Sequence, residues 1–271
     1  MFGIFLHLHS DYINDLKESF MEMLILVPKI TNRLYYIFEL MLKDELGIDF
    51  KFTTNKETYL AYEGPRLHYD KFPMSDEPSL YQQSVNLLFE HDINDQEIKL
   101  CNYKDYKTIY PVFNDKSLFP FDIFAASFYI ISRYEEYQPH IGDMHNRFQP
   151  QDSILYKMDM FEKPVVNLWT IDFGKEIVAR YPEITLKKKT FRFIPTYDVD
   201  AAWAYKNKGL FRIMLAFVRD ILHFDKKEIK YRWDVLRGKK MDPFDTFEYQ
   251  IRLQKELKLE PLYFILCGDY N

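Results

Sequence analysis

The chain has 271 residues and a net charge of −5, with 47% hydrophobic, 28% charged and 18% aromatic side chains. This is the composition of a folded globular protein; it excludes a low-complexity chain and gives no whole-chain case for nucleic acid. Its two cysteines, Cys101 and Cys267, are too far apart to suggest a disulfide framework or metal knuckle, and no run of roughly 18 apolar residues offers a transmembrane helix.

Residues 1–22 read as an N-terminal extension, as from an upstream start codon. They hold a short apolar opening, an HxH pair (His7, His9) with no third ligand nearby, and a polar helix-like piece. The opening lacks a basic n-region and is too short for a signal peptide, so a reducing, cytoplasmic setting is the default expectation. Residues 23–185 then form an N-terminal α/β domain. Leu24–Val27 is a short buried strand, Thr31 or Asn32 caps a helix, and Leu34, Ile37, Phe38, Met41 and Leu42 recur at helical spacing. Gly47 ends that helix and Ile48–Thr54 alternates as a second strand, giving a β-α-β start with a parallel pair.

Between 57 and 115 the expected strands are Thr58–Tyr62, Leu67–Tyr69, Ser84–Phe89 and Ile98–Leu100, separated by Gly64-Pro65 and Glu77-Pro78. Pro120–Tyr137 reads as a helix with Phe121, Phe124, Phe128 and Ile131 on one side. After it come Ser132–Tyr137, His140, Asp143, His145 and Arg147, a polar cluster that either lines a cleft or forms a buried salt-bridge knot of Arg133, Glu135, His145 and Arg147. The second reading is preferred. An apolar stretch, Pro164–Trp169, leads to a helix over 171–180 that Tyr181-Pro182 stops.

A domain boundary is expected near 185, followed by a second part over 186–271. Residues 185–240 hold 15 Lys/Arg against 6 Asp/Glu, a local charge of +9 that leaves −14 on the rest of the chain. Such a surface can attract an anionic polymer or membrane, or be a solvated face. Leu210–Phe224 carries the apolar stripe Leu210, Ile213, Met214, Phe217, Ile221 and Leu222 and suits a helix packed on a sheet or lying on a membrane. Lys226–Lys240 looks loop-like, Asp245 with Glu248 suggests a capping box for a helix over 246–258, and Pro261–Gly268 reads as a buried strand.

The chemistry is expected at Phe191–Trp203. Phe191–Tyr197 reads as a buried strand, and then Asp198 and Asp200 arrive one residue apart. Residues i and i+2 of a strand share a face, so both carboxylates would meet at the C-terminal end, where parallel α/β proteins carry their sites. A metal ion can neutralise one and leave the other free as a base; the alternative is a strand end whose acids face water.

Thr196-Tyr197-Asp198-Val199-Asp200 resembles the first motif of polysaccharide deacetylases of the NodB-homology type, and Pro261–Gly268 is similar to the second strand of that family's domain. The 23–185 region, through Ser132–Tyr137 and His145–Phe148, resembles a domain found before such catalytic domains in some bacterial proteins. The resemblance implies an α/β chain in which an N-terminal domain precedes the first β-α-β portion of a distorted β/α barrel. It implies a metal-dependent deacetylase of N-acetylated carbohydrate, with Asp198 as general base and Asp200 as ligand to zinc or a similar divalent ion. The family adds a His-x-x-x-His-like motif after the second strand and a further His as acid; none of the seven His here follows residue 223. The 271 residues are therefore expected to be the front part of a longer design that alone binds metal weakly at most and does not deacetylate. Two rivals remain. A DxD phosphatase would want Thr where Ala202 stands, and a DxD glycosyltransferase would place the motif in a loop. A non-catalytic binding or scaffolding module would depend on neither Asp.

Overall fold

The computed structural model describes residues 22–74, 79–209 and 226–266, with positions 211, 214, 215, 218 and 219 between them. The expected extension with His7 and His9, most of the 210–224 stripe, and Cys267-Gly268 lie outside the described residues. The chain divides into two compact units between Lys188 and Lys189.

The first unit is a parallel α/β layer. Strands β1 (Met23–Leu26), β2 (Phe50–Thr53), β3 (Arg66–Asp70) and β4 (Leu80–Gln83) form one sheet in the order β2-β1-β3-β4, all pairs parallel. β1 lies inside the sheet and is buried along its whole length, as an apolar run covered on both faces should be. Its alternate residues serve two cores. Met23 and Ile25, with Val27 just after the strand, enter the main one, while Leu24 and Leu26 join a small cluster with Tyr59.

Helix α1 (Asn32–Phe38) starts at Thr31, whose Oγ1 accepts the Leu34 N–H at 3.2 Å and donates to the Leu88 carbonyl at 2.6 Å. The helical path continues over Glu39–Leu46 in wider, π-type turns, and Leu34, Ile37, Phe38, Met41 and Leu42 are all buried. Gly47 ends it at φ 74°, where a Cβ would lie 2.8 Å from Lys187 Cβ, so both backbone and space demand glycine.

Helix α2 (Lys56–Leu60) replaces the strand expected at Thr58–Tyr62. Asn55 Oδ1 takes the Thr58 N–H at 2.7 Å and starts a helix before a ladder can form. The strand expected at Ser84–Phe89 is corrected too. β4 ends at Gln83, the Val85 N–H goes to Asp122 Oδ2 at 2.7 Å, and Leu87–Phe89 makes a 3-10 turn. Near Ile98–Leu100, β5 (Leu100–Tyr103) pairs antiparallel with β6 (Tyr106–Ile109), a hairpin whose second strand was not anticipated.

Helix α3 (Ile123–Ile131) is shorter than the expected span at both ends: Arg133 at φ 52° turns the chain into a 3-10 turn over Tyr134–Tyr137, and Asp122 caps its start, with Oδ1 accepting from Phe124 and Ala125. The other oxygen receives Tyr69 Oη–H and Val85 N–H, each at 2.7 Å. One buried carboxylate thus joins β3, the exit of β4 and the start of α3. Burial pushes its pKa up to about 6 even though these donors pull it down. Short helix α4 (Ile154–Lys157) and long helix α5 (Val165–Arg180) complete the unit. α5 takes in Val165–Trp169 of the apolar stretch expected to precede it. At its end, Tyr181 Oη accepts the Arg66 N–H at 3.0 Å and donates to the Arg66 carbonyl at 2.9 Å, 115 residues back in the chain.

The second unit has β7 (Thr196–Val199) paired in parallel with β8 (Leu262–Ile265), and between them α6 (Lys226–Leu236) and α7 (Phe247–Leu257). α6 corrects the loop expected over 226–240. Arg232 and Val235 are buried with Ile229 partly so, a helical stripe hidden among charged neighbours. The capping box is corrected as well: Thr246 is the N-cap of α7 and makes no side-chain cap bond.

Among the described residues no helix is long and apolar enough to cross a membrane.

Candidate functional site

The acidic motif sits where a strand ends. β7 begins only at Thr196, and the buried strand expected from Phe191 is corrected. Phe191 is 91% exposed, and Phe193 and Ile194 are exposed too. The register explains why. Thr196 faces Leu262, so Pro195 and Pro261 meet at the next step, and neither has an N–H with which to extend the ladder. The carbonyl of Pro195 still accepts from Leu262 N at 2.9 Å, and pairing starts there.

From that point exposure alternates. Thr196, Asp198 and Asp200 are exposed while Pro195, Tyr197 and Val199 are partly buried, and Tyr197 stacks on Tyr263 with ring centroids 4.9 Å apart. Asp198 lies within the ladder opposite Phe264, and Asp200 is one residue beyond it in a bend. Both acids therefore fall on the exposed phase of the alternation at the C-terminal end of a parallel pair. Among the described residues no side-chain hydrogen bond or ion pair engages either carboxylate. β8, expected to be buried, is exposed at all four positions.

The segment that leaves Asp200 is anchored by a residue the sequence reading passed over. Asp242 is 2% exposed. Its Oδ1 accepts from Ala204 N at 2.8 Å and Phe244 N at 3.1 Å; its Oδ2 accepts from Tyr205 N at 2.8 Å and Lys206 N at 3.0 Å. Burial alone would raise this carboxyl's pKa, but the four N–H donors outweigh it and hold it below the ordinary range. The available signal was Asp242-Pro243, since Asp before Pro initiates turns through its own side chain.

As donors for an ion, Asp198 and Asp200 fit in part. Carboxylate oxygens suit zinc or a similar divalent cation, but a catalytic zinc site takes three protein ligands. Among the described residues no group of three or more His, Cys, Asp or Glu could hold an ion.

The polar cluster of the first unit resolves into separate local ties, correcting the buried knot. Arg133 pairs with Glu136, and Arg147 Nη2 with Asp143 Oδ2 at 2.8 Å; both arginine side chains are 71% exposed. Glu135 instead accepts from Ser153 Oγ at 2.6 Å and Ile154 N at 2.7 Å, fixing the start of α4. His140 bonds the Gln138 carbonyl through Nδ1, and His145 is exposed. A histidine the sequence reading did not single out, His68, is buried on β3 with Nε2 3.8 Å from Asp70 Oδ2.

The protein is thus an α/β chain built around a parallel sheet, with an acidic strand end in its second unit. Over the first unit, residues 23–182 match a family of unknown function, DUF7033, and the chain belongs to that family. Asp198, Asp200 and Asp242 lie beyond the matched residues. No curated protein and no solved structure matches the chain.

Proposed function

We propose that the second unit contributes the opening acids of a metal-dependent deacetylase acting on N-acetylated carbohydrate, with β7 and β8 as the first strands of a distorted β/α barrel. The observation that carries this reading is the pair Asp198 and Asp200, on the exposed phase at the C-terminal end of a parallel strand, with no counter-charge paired to either among the described residues. Two like charges on one phase of a strand end repel, so an arrangement that pairs neither with a protein cation among the described residues suits an incoming cation. The resemblance of Thr196–Asp200 to the deacetylase motif supplies the reaction class.

In this reading Asp200 holds the ion, and Asp198, fixed within the ladder, takes the proton from the attacking water. A bound divalent ion would supply Lewis acidity toward the acetamide carbonyl, which is otherwise a poor electrophile. The histidines that the deacetylase family brings after its second strand are not among these 271 residues. The expected behaviour of the 271-residue chain is therefore weak zinc or cobalt binding without acetate release from a chitin oligomer. The proposed setting is the cytoplasm.

A cobalt titration of the unmodified chain, Asp200→Ala and Asp198→Asn tests the assignment. Weak binding abolished by the first substitution and kept by the second supports it. Equal behaviour of all three proteins sinks it. Acetate release by the 271-residue chain would overturn the claim that the remaining ligands are indispensable.

A further inference from the structure

We infer that Asp242 is a positioning residue for Asp200: it clamps the segment leaving β7 and so fixes where the second carboxylate of the motif points. The inference rests on the deacetylase reading above for what Asp200 does, and on geometry for how it is held.

Asp200 has left the ladder, so pairing with β8 does not fix it directly. The last tie before it is Val199 O accepting from Leu266 N, at a long 3.4 Å. The next tie after it is Ala204 N donating to Asp242. Between these anchors lie Asp200, Ala201, Ala202 and Trp203, of which the first three are exposed. Backbone this free of packing can swing a short carboxylate through several positions, and two neighbouring anions would drive it away from convergence. The clamp opposes that. Three consecutive N–H groups, from Ala204 to Lys206, converge on one buried carboxylate, a concave backbone arrangement that suits an anion. The same carboxylate accepts from Phe244, in the connection between α6 and α7, so the segment after Asp200 is referred to that connection. Trp203 adds a second contact, its ring meeting that of Phe247 edge-on at 6.1 Å.

A residue that merely staples its own turn would need only the Phe244 bond. The three bonds to 204–206 serve the segment that follows the acids, and they act on Asp200 through the backbone, since Asp242 bonds neither carboxylate of the motif.

Amide hydrogen exchange and a cobalt titration on the 271-residue chain and Asp242→Asn test the inference. In the unmodified chain Ala204, Tyr205 and Lys206 should exchange more slowly than Ala201 and Ala202; equal rates would overturn the clamp without any variant. In Asp242→Asn, exchange should quicken over 198–206 while the interior of α7 stays protected, and cobalt affinity should drop several-fold. Unchanged exchange at 198–206, loss of protection throughout 189–266, or unaltered cobalt affinity beside a loosened segment would each overturn the positioning role. If the unmodified chain binds no cobalt, the assignment of Asp200 as an ion ligand in this chain fails instead, and the exchange data alone then decide whether Asp242 holds the segment.

Discussion

Both units contain parallel strands joined through helices, yet they bury their apolar residues very differently. In the first, Phe38 stacks on Phe124 with centroids 4.0 Å apart and touches Phe50, Phe52 and Tyr69, within a core that reaches from β1 to α5. In the second, Val235 is the one hydrophobic side chain that is buried among the described residues, while Leu262, Phe264 and Ile265 on β8 are all exposed. A parallel pair needs cover on both faces. The four-stranded sheet has two cores; the two-stranded one leaves β8 open. Order in the second unit therefore leans on hydrogen bonds such as those of Asp242, and the acids sit where packing contributes least.

The contrast is sharpest for matched phenylalanines. Phe38→Ala should destabilise the first unit by about 3–5 kcal/mol in urea unfolding, because a large cavity opens among rings that cannot collapse into it. A loss below about 1 kcal/mol would mean that the first core is as loose as the second.

Asp122 offers a pH probe confined to the first unit. Its carboxyl is raised to about 6 by burial, against an unfolded value of about 4. Between these values the folded state binds more protons than the unfolded state, so this group makes stability fall as pH rises from about 4 to about 6, then level off. Urea midpoints across that range should show the slope in the unmodified protein and its absence in Asp122→Asn. An identical slope in both would place the titration elsewhere.

A smaller effect is expected at Gly47→Ala, about 1–2 kcal/mol, from a left-handed backbone and the close approach of Lys187. The smallest belongs to Phe264→Ala in the second unit. The residue is 56% exposed, so unfolding should shift by no more than about 0.5 kcal/mol. A loss comparable to that at Phe38 would show that β8 is covered in solution and would erase the contrast.

Where local and tertiary demands agree, the sequence could be read directly. Thr31, the 34–42 stripe and Gly47 each state their role within a few residues, and the first β-α-β with its parallel pair follows from them. Reading failed where a distant partner decided the outcome. Val85 leaves the sheet because Asp122, far along the chain, takes its N–H. Phe191–Ile194 is apolar enough for a strand, but Pro195 facing Pro261 stops the ladder, and neither proline signals this alone. Charge also misled: the lysines and arginines of 226–240 concealed the buried face of Arg232 and Val235. At the acidic site, the strand position of Asp198 was legible, whereas Asp242-Pro243 signals only a local turn and not the bonds from Asp242 to the distant N–H groups of 204–206.

The tie between Tyr181 and Arg66 has a practical consequence for dissecting the molecule. One phenol satisfies both backbone groups of a residue in the sheet, so the last turn of α5 works as a fastener for the edge where β3 begins. A fragment stopping just short of that tyrosine would lose both bonds that its phenol makes to the Arg66 backbone and should fray from that edge inward. One extending through Lys188 retains the fastener and the backbone bond from Lys187 to Leu46, and is the piece to express when the family's own role is sought.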